Sequence, residues 1–185
     1  MDVEQAIRSR RTIKAFDPQP LERETLTELL ELARWAPNHH LTNPWRFRVI
    51  GARALERLKQ AAGELASAEA AGADAAEVAR AAAAKLDRAP TLVVCSVVCS
   101  EDPVEMEENR HAAAVAAYIV LLAAHGRGLA GYWRTPGVLR TEAGREAVAL
   151  KAGEEFVGLL HLGRAKQEAE PPEREPAVRY VTFLD

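Results

Sequence analysis

A run of thirteen residues without any charge most constrains how this chain can fold. It covers residues 112–124 and lies in the middle of a helix predicted over residues 105–125. A helix that is apolar all round is buried on all sides. In a chain of 185 residues, we therefore expect this helix to pack against the chain's own sheet and also against a second subunit. A membrane span needs about twenty apolar residues, so this run predicts no membrane partner.

The other patterns mix helices and strands without strict alternation. Predicted helices cover residues 3–9 and 21–35, two segments on either side of Gly72 within residues 52–88, and a short stretch from Thr141 or Glu142 to about Leu150. Predicted strands cover residues 45–50, 91–98, 129–134 and 156–162. Residues 91–98 are continuously apolar, which is typical of a buried central strand. This order favours an α+β fold, and the length fits one domain over residues 1–185.

Two segments leave their roles open. Residues 61–84 are rich in alanine and short of large apolar side chains, which predicts a mobile or peripheral helical pair. That pair is either a lid over a site or a surface hairpin without function. Residues 177–183 alternate like an edge strand and follow a polar, proline-rich linker. Because the tail of residues 167–185 has few local partners, we expect it to pack on another chain.

Composition narrows the function classes. The net charge of −3 argues against general nucleic-acid binding, which usually needs a basic domain. Residues 1–15 are charged rather than apolar, so they do not resemble a secretory signal. Cys95 and Cys99 lie in an apolar region and are expected to be buried thiols rather than a disulfide. These features predict a soluble protein of the reducing cytoplasm.

A basic cluster near the N-terminus is the main candidate binding site. Arg8, Arg10, Arg11 and Lys14 place four cations within seven positions of an acidic chain. Such a cluster repels itself unless water or an anion screens it. Arginine can donate two parallel hydrogen bonds to a phosphate, and Thr12 adds a hydroxyl donor. The cluster therefore indicates a clamp for the phosphate of a nucleotide cofactor, with a solvated basic face as the alternative.

No self-sufficient catalytic motif accompanies this cluster. The glycines of residues 126–131 have the dinucleotide spacing but follow a helix, so capping explains them better. The histidines lack the spacing of metal ligands, and His39 and His40 are expected to point apart in an extended loop. His161 is expected to be a core histidine with its hydrogen bonds satisfied. We therefore predict no metal and no catalytic side chain, and expect a cofactor to carry the chemistry.

Four segments in a fixed order resemble the FMN-dependent nitroreductase family, most closely its compact bacterial type. They cover residues 6–16, 36–47, 128–134 and 157–163. The resemblance implies a nitroreductase-like fold, with a central, mainly antiparallel sheet flanked by helices in an intertwined homodimer. It also implies FMN at the subunit interface.

The resemblance implies a set of cofactor-binding residues: Arg10, Arg11, Thr12, Lys14, Trp35, His39, Asn43, Tyr132, Trp133 and Arg134. The first three would hold the phosphate and ribityl chain, and Lys14 would lie near the pyrimidine edge of the flavin. Residues of the 35–43 segment would come in part from the partner subunit. Arg8 is expected to be a solvated surface residue.

Two departures from the family pattern limit this transfer. Asn43 stands where many relatives have glutamine before the Pro-Trp pair. Longer relatives also place C-terminal basic residues on the phosphate, and the candidates here cannot be assigned: Arg164, Lys166, Arg174 and Arg179.

The implied activity is an NADH- or NADPH-dependent oxidoreductase that reduces nitroaromatic or quinone-like small molecules by ping-pong hydride transfer through the flavin. One alternative is a flavoenzyme of the same fold that dehydrogenates a small metabolite. A second is a non-catalytic module that binds an anion or nucleic acid. The sequence does not choose between the two nicotinamides or identify the natural acceptor.

Overall fold

The computed structural model describes residues 1–70 and 74–184, so the turn predicted at Gly72 lies outside the described residues. The helices are α1 (Val3–Ser9), α2 (Arg23–Leu32), α3 (Ala52–Glu69), α4 (Ala75–Ala84), α5 (Pro103–Gly126) and α6 (Glu142–Ala147). The strands are β1 (Trp45–Val49), β2 (Thr91–Val98), β3 (Ala130–Arg134) and β4 (Glu154–Gly163). The segment predicted as one helix over residues 21–35 ends in a 3-10 turn, Ala33–Trp35.

The four strands form one sheet in the order β1-β2-β4-β3, and every neighbouring pair is antiparallel. Val93 and Cys95 of β2 pack with α2 and α5, whereas Leu92 and Val94 pack with α3 and α6 on the other face. A strand buried on both faces must be apolar throughout, which explains the continuous run. The structure thus confirms the α+β class, the antiparallel sheet and the buried central strand.

Helix α5 packs its small side chains closely against the sheet. Asp102 caps it, since its Oδ1 accepts a hydrogen bond of 2.8 Å from the Val104 amide. Ala113 and Ala117 are fully buried on the sheet side. On the opposite side Tyr118 remains 38% exposed, beside a part-buried Ile119. One chain therefore buries only one face of a helix whose middle is apolar all round.

The alanine-rich pair divides into an anchored helix and a peripheral one. Leu58 and Ala61 of α3 are buried in the core, whereas α4 has no buried residue. The expectation of a peripheral pair is therefore wrong for α3, because Leu58 precedes the alanine-rich stretch and anchors the helix. Gly63 lets the helices approach, since a Cβ there would lie 3.3 Å from the Cβ of Ala79.

The tail does not form the predicted strand. Ala177–Arg179 is a 3-10 turn, and the structure assigns no strand from residue 164 to residue 184. Lys166 still donates a 3.1 Å backbone hydrogen bond to Ala15, but Phe183 is 91% exposed. A strand needs a neighbour for its backbone groups, and the tail has none within the described chain.

Two expectations about buried polar groups also need correction. Cys95 is buried, which raises the pKa of its thiol to about 12, but Cys99 is exposed just past the end of β2. His161 is completely buried on β4, yet neither ring nitrogen has a hydrogen-bond partner among the described residues. Its ring instead stacks on Tyr132, with centroids 4.3 Å apart. Burial first, then the cations Arg134 and Arg88, lower the pKa of His161 to about 3.

Within the described residues, no helix combines the length and apolar character that crossing a bilayer requires.

Candidate functional site

The basic cluster forms a tight turn at the C-terminal end of α1. Asp2 caps the start of this helix, as its carboxylate accepts a 2.7 Å hydrogen bond from the Gln5 amide. The Arg10 amide makes the last helical bond, to Ala6, and Arg10 then turns out of the helix with ψ of 130°. Arg8 is exposed and paired with Glu4 at 2.8 Å, which confirms that it is a surface residue.

The side chains of Arg10 and Arg11 fold onto backbone carbonyls of the same turn. Arg11 Nη1 donates to the carbonyls of Arg8 and Arg10 at 2.7 and 2.9 Å. Arg10 Nη1 donates to the Arg11 carbonyl at 3.1 Å, and its guanidinium lies 5.9 Å from the centre of the Tyr118 ring. The Nε of Arg11 is buried and has no hydrogen-bond partner among the described residues. Both guanidinium groups are thus held in place while retaining N–H donors for a ligand.

Backbone contacts attach this turn to the edge of the sheet. Thr12 forms an isolated parallel bridge with Gly131 of β3, and Phe16 forms another with Ala165, just beyond β4. Gly131 has no room for a side chain, because a Cβ there would lie 2.9 Å from side-chain atoms of Leu121 and Leu162. The turn is therefore fixed on a rigid element, as a precise binding site requires. Lys14 lies between these two bridges and is exposed.

A pocket of about 440 Å³ opens beside the turn. Its lining includes Arg10 and Arg11, the C-terminal end of α5, the start of β3 and the segment after β4. Ala165 and Gln167 contribute to the lining, so the chain next to Lys166 reaches this pocket, whereas Arg179 pairs with Glu175 at 2.7 Å. Its size falls within the range of small-molecule sites. A recessed basic pocket favours a small anion over an extended nucleic-acid backbone.

A hydrogen bond at the pocket joins α1 to α5. Ser9 Oγ lies 2.7 Å from His125 Nε2, and Ser9 Oγ also donates to the Gln5 carbonyl at 2.7 Å. Burial first, then the nearby charges of Arg10 and Arg11, lower the pKa of His125. Sequence reasoning missed both Ser9 and His125 as site residues, because nothing in the sequence pairs positions that lie 116 residues apart.

The second group of predicted residues lies on the loop between α2 and β1. His40, Leu41 and Asn43 have φ values of 54°, 51° and 47°, in the left-handed region that such residues rarely adopt. The expectation that His39 and His40 point apart is wrong: this backbone brings their ring centres to 3.8 Å. Strain of this kind persists only where the surroundings hold it, and it concentrates at functional sites.

A polar network holds this loop in place. Asn38 accepts a 2.7 Å hydrogen bond from the Asn43 amide and donates a 3.0 Å bond to Thr42 Oγ1. Thr42 in turn donates a 2.6 Å bond to Oδ1 of Asn109, a buried residue of α5. His39 and Asn43 are exposed, and Trp35 at the start of the loop is 77% exposed.

The basic turn and residues 38–43 of the loop lie at opposite ends of α5, whereas Trp35 lines a groove with Ala6 of α1 and Ile119 of α5. Asn109 and His125 are sixteen residues apart on this helix, which corresponds to a rise of about 24 Å. None of Trp35, His39 and Asn43 lines the pocket beside Arg10. A single chain therefore does not bring the loop to the basic turn.

The third predicted group, on β3, is mostly engaged in packing. Tyr132 is 2% exposed and stacks on Phe16, with ring centres 6.1 Å apart. Trp133 is partly buried against Gly158. A Cβ on Gly158 would lie 2.2 Å from Nε1 of Trp133. Arg134 donates a 3.2 Å bond to the Lys85 carbonyl. In the single chain, Arg10 and Arg11 line the basic pocket, Thr12 follows them on the bridge to Gly131 without lining it, and these β3 side chains lie outside it.

Comparison with known proteins identifies the family. The model of the Nitroreductase family matches residues 7–164. The "Putative NAD(P)H nitroreductase YdjA" of Escherichia coli (strain K12) is 29% identical over 96% of this chain and 98% of its own length.

Solved structures share the fold. A nitroreductase-like family protein from Bacillus cereus superposes with a TM-score of 0.87 at 24% identity, covering 100% of this chain and 97% of its own. A nitroreductase with bound FMN from Desulfitobacterium hafniense gives 0.71 at 21% identity, covering 98% and 97%. Because the family model spans most of the chain, this protein belongs to the Nitroreductase family and is an oxidoreductase.

Proposed function

We propose that this protein is an FMN-dependent NAD(P)H oxidoreductase that reduces nitroaromatic or quinone-like acceptors. The observation that carries the proposal is the pocket in which Arg10 and Arg11 are held against the sheet edge. YdjA is named as an NAD(P)H nitroreductase, and the Desulfitobacterium structure holds FMN within the same fold.

The residues of the pocket fit a flavin phosphate. A phosphomonoester carries a charge of about −1.5 to −2 at neutral pH and has three strong acceptor oxygens. The two guanidinium groups match this charge, and the buried Nε of Arg11 supplies an N–H without another partner among the described residues. Thr12, held beside Gly131, adds a hydroxyl at the same edge.

The chain's residues would bind and orient the cofactor rather than react. The chemistry that FMN would supply when bound is hydride transfer between NAD(P)H and the acceptor. Arg10, Arg11 and Thr12 would anchor the phosphate and ribityl chain. Lys14, exposed between the two bridges that fix the turn, would place a cation near the pyrimidine edge of the flavin and favour its reduced, anionic form.

A second copy of the chain would complete the site. Val115, Tyr118 and Trp35 leave apolar surface exposed near a groove of about 300 Å³ between α1 and α5. Large exposed apolar patches mark interaction surfaces. We propose that a partner covers this face and brings its own Trp35, His39 and Asn43 to the flavin. The tail from residue 167, with Phe183 exposed, would pack on the partner as well.

The test is an absorbance spectrum of the purified protein, followed by anaerobic titration with NADH and with NADPH. We expect flavin bands that bleach with one nicotinamide and return when a nitroaromatic or quinone is added. A colourless protein that fails to bind added FMN would overturn the proposal. Rapid reduction by a nicotinamide with no turnover of either acceptor class would favour the small-metabolite alternative.

A further inference from the structure

We propose that His125 is a third cationic group of the phosphate pocket, taking up a proton when a phosphomonoester dianion binds between Arg10 and Arg11. This inference rests on the proposed function, since it concerns the same pocket. It adds a cofactor-binding residue and predicts a proton coupled to cofactor loading.

The first support is the position of the imidazole. His125 lines the pocket together with Arg10 and Arg11, at the C-terminal end of α5. Its Nε2 lies 2.7 Å from Ser9 Oγ, which fixes the ring relative to the turn that carries the two arginines. A cation is also favoured at this end of a helix, where the helix dipole is negative.

The hydrogen bonds define the neutral state. When Ser9 Oγ donates its only hydrogen to the Gln5 carbonyl at 2.7 Å, its contact with His125 requires the tautomer that carries the proton on Nε2. The neutral imidazole then carries no proton on Nδ1. Uptake of a proton would leave the bond to Ser9 intact and create a new donor at Nδ1, together with a full positive charge.

The charges around the ring explain why the proton is absent before the anion arrives. Burial is the largest cause of the lowered pKa of the His125 imidazole, and the charges of Arg10 and Arg11, which face it from the turn, lower it further. On α5 itself, Arg127 is paired with Glu28 of α2. Glu168 of the tail also lines the pocket and is the acidic group on that side. A bound phosphate dianion would offset the repulsion from the arginines, which favours the imidazolium.

These charges determine how FMN affinity should depend on pH. Binding raises the pKa of His125, so its contribution to affinity is complete at low pH and is lost as pH rises through the raised value. The proton comes from the buffer, and no covalent bond changes. Ionisation of the phosphate has the opposite sign, because FMN loses its dianion below about pH 6. Riboflavin, which lacks the phosphate, should show neither effect.

The experiment is calorimetric titration of the apoprotein with FMN and with riboflavin at pH 7.5, in two phosphate-free buffers that differ in ionisation enthalpy. For the wild type we expect uptake of about half a proton per FMN and none per riboflavin. His125→Gln should abolish the uptake and weaken FMN binding about 10-fold relative to riboflavin. His111→Gln, at an exposed position on the same helix, is the matched control and should behave like the wild type.

Each outcome separates the two proposals. If the wild type binds FMN without proton uptake, the role of His125 is wrong and the proposed function stands. If the wild type does not bind FMN at all, both fail. Should His125→Gln not fold, the wild type alone decides: the FMN-to-riboflavin affinity ratio must fall as pH rises from 6.5 to 8.5, and a constant or rising ratio overturns the inference.

Discussion

The two ends of α5 carry very different kinds of candidate site. At the C-terminal end, Arg10, Arg11 and His125 line a recessed pocket that one chain builds by itself. At the N-terminal end, Asn109 holds a loop with left-handed residues, yet His39 and Asn43 remain exposed. The first end is a candidate anion site that needs no residue from another chain. The second is held in an unusual conformation, and its His39 and Asn43 do not line the basic pocket, which is the geometry expected of a segment that acts on another subunit.

Under the proposed function, this difference would separate recognition of the phosphate of FMN from recognition of its ring. Variants at the pocket should discriminate between FMN and riboflavin, which differ only by the phosphate. Variants at the loop should weaken both flavins by the same factor. A pocket variant that weakens both flavins equally, or a loop variant that weakens FMN alone, would contradict this division.

The largest effect is expected from removing both arginines. Arg10→Ala combined with Arg11→Ala should weaken FMN binding by at least about 100-fold, because charge-assisted hydrogen bonds contribute about 1.5–3 kcal/mol each. Riboflavin binding should change little. Quenching of flavin fluorescence measures both affinities, and Arg8→Ala, in an exposed ion pair with Glu4, is the matched control. Equal loss for both flavins would mean that the turn does not hold the phosphate.

Mild acid should weaken the sheet beneath the pocket. The pKa of buried His161 is lowered to about 3, whereas an unfolded histidine titrates near 6.5. The stabilisation is complete above pH 6.5 and falls with pH, because the unfolded chain then binds the extra proton. Between pH 6.5 and 5 the free energy of unfolding should fall by about 2 kcal/mol from this group.

Urea unfolding of the apoprotein at pH 7.5 and 5 measures this change. His161→Phe should reduce the difference between the two pH values by that amount. His125 titrates in the same direction but is present in both proteins, so it cancels. An unchanged pH dependence in the variant would show that His161 is not the group responsible.

A smaller effect is expected at the loop end. Asn109→Ala removes the acceptor of the Thr42 hydroxyl, at a cost of about 1–3 kcal/mol in the free energy of unfolding. Because the loop would then lose its preset shape, both flavins should bind about 10-fold more weakly. Glu107→Gln, an exposed change on the same helix, is the control. Selective loss of FMN binding would contradict the assignment of this loop to the ring.

The sequence predicted local structure well where the signal is local. Asp2 caps α1 as expected, and the apolar run 91–98 coincides with β2. The tail forms no strand in the single chain, because alternation shows which residues suit a strand but not whether a neighbouring strand exists, and its predicted packing on another chain stays a prediction. The close approach of His39 and His40 depends on a positive φ at His40. The sequence did not indicate this backbone conformation, because the residue is not a glycine.

Part of the candidate site could also be predicted, because some of its residues are neighbours in the sequence. Arg10, Arg11 and Thr12 are adjacent in the sequence, so their charge pattern alone marked an anion site. Ser9 with His125, and Thr42 with Asn109, meet only because α5 spans the molecule and touches a different segment at each end. Long-range pairs of ordinary polar residues leave no periodic or motif signal. These contacts could be identified only from the structure.

The most direct test of the account is whether pocket and loop act from different subunits. Two differently tagged chains are co-expressed, one with Arg10→Ala and Arg11→Ala, the other with Trp35→Ala, His39→Ala and Asn43→Ala, and mixed dimers are isolated through both tags. The mixed dimer would contain one site with an intact pocket and an intact loop. The account predicts about one FMN bound per mixed dimer at near wild-type affinity, whereas FMN binding no tighter than in either parent dimer would contradict it.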